Sequence, residues 1–367
     1  MKKRIALLLA GVLAVASLTA CGGGKTDGGN ADAKVKVGLG ACTSFSESYS
    51  RGDMHQGKEA EATNAQVDIH VASVVIGADG KIVQCDIDAI QVMATVDEKG
   101  AIAEDAKTTF ESKTDRGTGY GMKEWGPQPP EAIGKEWFEQ AAAYETWCEG
   151  KTLDQIKAGV GEDEKPVDDM LKTGCTIKIG DITKAVVNAY ENAVETDASA
   201  DDVLGIAVIG EMTGVKAPVL DAEGKIANDD KGKPQYGTFQ AYVNYACTTQ
   251  NAKGEITSVL IDSIQAYPTW DETGILNTDA DQDLRSKYTK KGDYGMQVAS
   301  SLEKGEWYQQ IDVFKQFVLG KTADDVAAIA VHESGDNAGK PNDATLVSGC
   351  TMKIVAYKTV VVKSLEK

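Results

Sequence analysis

Histidine is scarce in this chain. Three occur in 367 residues, His55, His70 and His332, and the seven cysteines include no C-x-x-C pair. Zinc-ribbon and haem-attachment spacings are therefore missing. Positive charge is also short: 38 Lys and Arg stand against 56 Asp and Glu, a formal net charge of −18. Phosphate backbones and anionic lipid surfaces would repel such a chain, so no nucleic acid is expected as a partner. The N-terminal apolar stretch, Ile5 to Leu18, is too short for an ordinary membrane-spanning helix.

What surrounds that stretch is informative. Lys2, Lys3 and Arg4 precede it, and Leu18-Thr19-Ala20-Cys21 closes it with small residues before a cysteine, the three-part plan of a signal peptide. The ending resembles the lipobox of bacterial lipoproteins. That resemblance implies removal of residues 1–20, acylation of Cys21, and membrane lipid as the partner of an extracytoplasmic, lipid-anchored protein. Residues 21–33 follow as a lipidated cysteine and a glycine-rich tether with few side chains able to pack. Cleavage removes three cations and no anion, leaving the mature chain more acidic still.

The remainder exceeds what a single core usually serves, and it repeats itself. Val67 to Gln91 reads as strand, turn, strand around Ala78-Asp79-Gly80-Lys81, and Phe239 to Gln265 repeats the pattern around Ala252-Lys253-Gly254-Glu255. Tyr120-Gly121-Met122 recurs as Tyr294-Gly295-Met296, and Glu136-Trp137-Phe138-Glu139-Gln140 as Glu306-Trp307-Tyr308-Gln309-Gln310. Thr173-Gly174-Cys175-Thr176 recurs as Ser348-Gly349-Cys350-Thr351. The order is kept throughout, so two domains are expected, 34–197 and 198–367.

Each copy has one plan. An opening strand, around Val35–Cys42 and Val203–Ile209, precedes the hairpin, whose alternation predicts a sheet with one buried face. The spacing predicts helices over Glu136–Glu149 and its counterpart from Trp307. Gly150 and Gly320 should stop them, and Thr152 and Thr322 should cap a second short helix. Segments 158–171 and 332–346 read as polar, mobile loops, and Asp181 as the cap of a last helix reaching about Ala193. Strand pairs followed by helices, without regular β-α-β alternation, mean α+β.

Several motifs lack the geometry they suggest. Gly150-Lys151-Thr152 follows a helix where a phosphate loop follows a strand. Gly117-Thr118-Gly119-Tyr120-Gly121 has the wrong spacing for a dinucleotide loop. Asp279, Asp281 and Asp283 start like a calcium loop, but Leu284 occupies its glycine position. No histidine recurs, so no duplicated hydrolase triad exists. Trp137 and Trp307 lie on amphipathic stripes and are expected in the core.

The Thr-Gly-Cys-Thr segment remains, at each domain's end. It resembles the signature of the FMN-binding domain family, an S/T-G-A-T/S segment followed by an alanine- and valine-rich helix, here Ala185-Val186-Val187-Asn188-Ala189. The repeat as a whole resembles lipoproteins of anaerobic Gram-positive bacteria. The family resemblance implies two tandem copies of an FMN-binding-like domain, each an antiparallel sheet with packed helices. It implies a cofactor, FMN, joined through its phosphate to Thr176 and Thr351, with Thr173, Gly174, Cys175, Ser348, Gly349 and Cys350 completing the two sites. The function implied is a membrane-anchored electron carrier served by a membrane redox donor, with Tyr120 and Tyr294 or the tryptophans flanking the rings. Cysteine replaces the family's alanine, and the family's aspartate stands two residues upstream of its usual place, as Asp168 and Asp343. The competing expectation is an envelope or ligand-binding lipoprotein that kept the fold without flavin, its Gly-Cys-Thr turn purely structural.

Overall fold

The computed structural model describes residues 34–124, 133–278, 282–300 and 305–366, which belong to one compact unit. The first half opens with β1 (Lys36–Ser44), a small hairpin of β2 (Met54–His55) and β3 (Lys58–Glu59), and a long hairpin of β4 (Thr63–Ile76) and β5 (Ile82–Val96). After β6 (Thr109–Glu111) come α1 (Lys113–Arg116), α2 (Trp137–Cys148), α3 (Leu153–Ala158), α4 (Asp169–Lys172), α5 (Gly180–Glu191) and β7 (Val194–Glu195). The second half has β8 (Val203–Lys216), β9 (Gly237–Gln250), β10 (Ile256–Ala266) and β11 (Thr269–Trp270). Its helices are α6 (Lys287–Lys290), α7 (Met296–Ser300), α8 (Trp307–Val318), α9 (Ala323–Ala327), α10 (Ala344–Val347) and α11 (Val355–Ser364). The class is α+β.

The main sheets are antiparallel, ordered β5-β4-β1-β7 and β10-β9-β8-β6, with β11 also on β9. Side-chain alternation divides each long strand between two cores. From β4, Ala65, Val67, Ile69 and Val71 join Ile90 and Val92 of β5 against Ile206 and Val208 of β8 and Val243 and Tyr245 of β9. The opposite face of β4, with Ala72, Val74 and Ile76, packs under α2 and α5. In the second half Ala246, Ile256 and Ile261 pack under α8 and α11 in the same way. The order is helices, sheet, sheet, helices. Both faces of each sheet are covered, which corrects the expectation of one buried face: the polar residues that produced the alternation line a cleft and are not bathed in solvent.

The local signals act as the sequence suggests. Glu136 begins α2 as the N-cap of a capping box with Glu139, and Thr152 caps α3 in a box with Gln155. Gly150 has φ 74°, the left-handed conformation that ends α2. Asp181 is not a cap. Ile179 holds that position, while Asp181 sits in the first turn of α5 and pairs with Lys184 at 2.7 Å. The segments expected as loops carry the short helices α4 and α10, begun by Asp168 and Asp343, whose Oδ1 atoms accept two main-chain N–H groups each.

The halves are stitched together. Strand β6 of the first half pairs with β8 of the second. Trp270, wholly buried, donates from Nε1 to Gly100 O at 2.9 Å, and Thr63 donates to Gly274 O at 2.6 Å. Helix α5 lies directly on β1 because Gly38 and Gly40 carry no side chain. A Cβ on Gly38 would meet Ala189 O at 1.9 Å.

Candidate functional site

The recurring Thr-Gly-Cys-Thr segment closes the end of α4 against α2. Thr173 N–H donates to Met170 O, and Gly174 and Cys175 N–H both donate to Leu171 O. Thr176 N–H donates to Gln140 Oε1 at 2.9 Å, with its hydroxyl 3.5 Å from the same oxygen. Cys175 is wholly buried, its thiol pushed up to about 12 by burial, and Gly174 abuts Ala143. The second half repeats the joint. Gly349 and Cys350 donate to Leu346 O, Thr351 N–H donates to Gln310 Oε1 at 2.9 Å, and the Ser348 hydroxyl donates to Thr345 O. The four N–H groups of Thr173–Thr176 already have protein acceptors, so the segment does not fit a main-chain phosphate cradle. Only the half-buried hydroxyls of Thr176 and Thr351 remain for an ester. Cys21 lies outside the described residues.

A different place in the first half has the form of a site. The polar stretch of β4, the loop after β1, α1 and the start of α5 enclose a cleft of about 690 Å³. Its floor is an amide relay. Asn64 donates to Gln66, Gln66 donates to Asp68 Oδ2 at 2.8 Å, Gln91 donates to Asp68 Oδ1 at 2.9 Å, and Tyr120 donates to Gln91 at 3.3 Å. Burial holds the Asp68 carboxyl above its ordinary range despite these donors and nearby Lys113. Lys113 is almost wholly buried, its Nζ 5.1 Å from the Tyr120 ring centroid and 5.4 Å from that of Trp137. Desolvation holds its ammonium below the usual lysine range. Among the described residues no carboxylate lies within ion-pairing distance of Lys113 or Arg116, whereas Lys184 and Lys178 are paired with Asp181 and Glu164. His70 Nδ1 is buried without a hydrogen-bond partner, and burial and Lys113 hold the imidazole well below its usual range.

The machinery that aims Lys113 is repeated in both halves. Asp88 Oδ1 accepts from Ala89 N–H and Thr114 N–H, and Asp262 Oδ1 accepts from Ser263 N–H and Tyr288 N–H. Each aspartate ties the strand to the helical turn bearing Lys113 or Lys287. What those lysines meet differs. At the register position of Asp68 stands Tyr242, whose phenol accepts from Lys287 Nζ at 3.0 Å and lies 3.1 Å from Tyr357 Oη. Trp307 Nε1 donates to Tyr357 Oη at 2.9 Å. At the cross-strand pair His70 and Ala89 stand Asn244 and Ser263, bonded to each other at 2.6 Å. The second half therefore satisfies internally the groups that the first half turns towards the cleft.

Asp68 and His70 were not legible as part of a site, because recurrence pointed away from them: they are where the halves differ. Tyr120 and Trp137, expected beside a ligand or in the core, do both; each is at most 5% exposed yet lines the cleft. Compared with family models, curated proteins and solved structures, the chain matches none.

Proposed function

We propose that this is a lipid-anchored extracytoplasmic binding protein, built from two copies of one domain, in which the first copy holds the ligand and the second is its support. The observation that carries the reading is the pairing of His70 and Lys113 in the first-half cleft. A buried imidazole nitrogen with no hydrogen-bond partner and a buried ammonium that Asp68 and Glu47 balance only from beyond ion-pairing distance are costly, and a bound molecule would relieve both. Lys113 and Arg116 suit a carboxylate or phosphate, while Asp68 and Glu47, also without a cation within ion-pairing distance among the described residues, suit an amine or other donor. The ligand class is a small anionic or zwitterionic molecule.

The test is a thermal-shift screen of amino acids, organic acids, sugar phosphates and flavins on the mature protein. A ligand at a hundred times its Kd stabilises by about 2.7 kcal/mol. Its effect should disappear in Lys113→Met and Asp68→Asn. A hit unaffected by both substitutions, or no hit in any class, would sink the reading.

The flavin electron carrier is a second reading. It is favoured by Ile177 and Lys178, which line the cleft immediately after Thr176. An ester at Thr176 would displace its contact with Gln140. Yellow protein, with the FMN mass on the Thr176 peptide, is the outcome that selects this reading over the first.

A further inference from the structure

Strand β5 and helix α2 are bracketed at two points. Ile82 N–H donates to Lys151 O at 3.0 Å and Gly150 N–H to Ile82 O at 2.8 Å, just past the helix end. Five residues along the strand, Ile87 N–H donates to Glu145 Oε1 at 2.9 Å. Cys85 lies between the two strand anchors and Cys148 between the two helix anchors. Both side chains belong to the core beneath α2, and neither is more than 8% exposed. The neighbouring Cys148 thiol and then burial hold the Cys85 thiol well above its usual range.

The second half has the same main-chain bracket. Ile256 N–H donates to Lys321 O and Gly320 N–H to Ile256 O, both at 2.9 Å. Register and motif spacing put Val259 where the first half has Cys85, and Val318 where it has Cys148. Two apolar members of one core in the second half thus correspond to two cysteines in the first. Two independent buried thiols would need no such matching, whereas a crosslink requires both.

We infer that Cys85 and Cys148 are a disulfide-forming pair, a covalent clasp between β5 and α2 in the first half alone. Both are free thiols in this structure. Closing the clasp breaks two S–H bonds and forms one S–S bond. The two protons and two electrons pass to the disulfide of a thiol–disulfide oxidoreductase, which becomes a dithiol. The Cys85 thiolate attacks that disulfide, and Cys148 then displaces the oxidant from the mixed disulfide. Burial places this exchange during folding, before α2 closes over the strand. Once formed, the bond is shielded from reductant.

The experiment is peptide mapping of the full protein, exported through an oxidising compartment and alkylated in denaturant without reductant. The expected result is a linked Cys85–Cys148 peptide, 2 Da lighter than the two thiol peptides, with Cys42, Cys175, Cys247 and Cys350 alkylated. Full alkylation of both cysteines, or linkage of either to another cysteine, overturns the proposal. Cys85→Val with Cys148→Val copies the second half and should fold with an unchanged circular dichroism spectrum. Reduction in mild denaturant should lower the Tm of the wild-type protein by about 5 °C or more and leave the double variant unmoved. Equal responses of the two proteins would also overturn it.

Discussion

Lys287 Nζ donates to the phenol oxygen of Tyr242 at 3.0 Å, and that one contact closes in the second half what stands open around Lys113 in the first. Tyr242→Asp restores the first-half residue without its amide relay. It removes a half-buried ring and leaves a carboxylate beside Tyr357, so unfolding free energy should fall by about 2 kcal/mol or more. Urea denaturation measures it.

Burial pushes the Lys287 ammonium down to about 7. Between pH 7 and its ordinary range the unfolded chain holds a proton there that the folded chain has released. This group therefore makes the protein more stable as pH rises through that window, with a slope of at most about 1.4 kcal/mol per pH unit, and contributes no slope below it. The buried Lys113, lowered in the same direction, adds to the rise. Lys287→Met should flatten the curve between pH 7 and 9, which urea midpoints at three pH values would reveal. An unchanged slope would refute the assignment.

His70 and Ala89 can be given the second half's solution. His70→Asn with Ala89→Ser should recreate the Asn244–Ser263 bond and remove a buried nitrogen without a partner. Stability should rise by about 1 kcal/mol, while any ligand that depends on the imidazole should bind more weakly. Calorimetry of the free and bound protein separates the two effects.

Gln140 and Gln310 support the two Thr-Gly-Cys-Thr joints through identical 2.9 Å bonds. Gln140→Ala leaves the Thr176 N–H without its acceptor and should cost about 1–3 kcal/mol, and Gln310→Ala a similar amount. Matching losses in urea titrations identify a structural joint. A loss at Gln140 that disappears on adding ligand assigns that joint to the cleft.

Gly38→Ala tests how closely α5 lies on β1. The added methyl would overlap Ala189 O, and the helix must move or the protein unfold, a loss of roughly 2–4 kcal/mol. Thermal unfolding gives the magnitude.

Much of this architecture was legible because its causes are local. The Gly80 turn, the Thr152 capping box, and the stops at Gly150 and Gly320 act within a few residues of themselves. The second core was not legible, since nothing local says that Ile69 and Ile90 meet Val208 and Tyr245 across more than a hundred residues. The alternation of the hairpin strands does not reveal the cleft at Gln66, Asp68 and His70, because a cleft wall and a solvent face have the same period. Lys113 recurs as Lys287, so the sequence marks the pair. Its meaning depends on Tyr242, which does not recur.

The pairing of β6 with β8 has a consequence in time. Synthesis delivers the first half first, yet β6 has no partner until residues 209–211 emerge. The apolar face of β4 and β5 likewise stays uncovered until β8 and β9 arrive. The earlier half must therefore wait, partly assembled, for the later one, and a chain truncated before β8 should be recovered in aggregates.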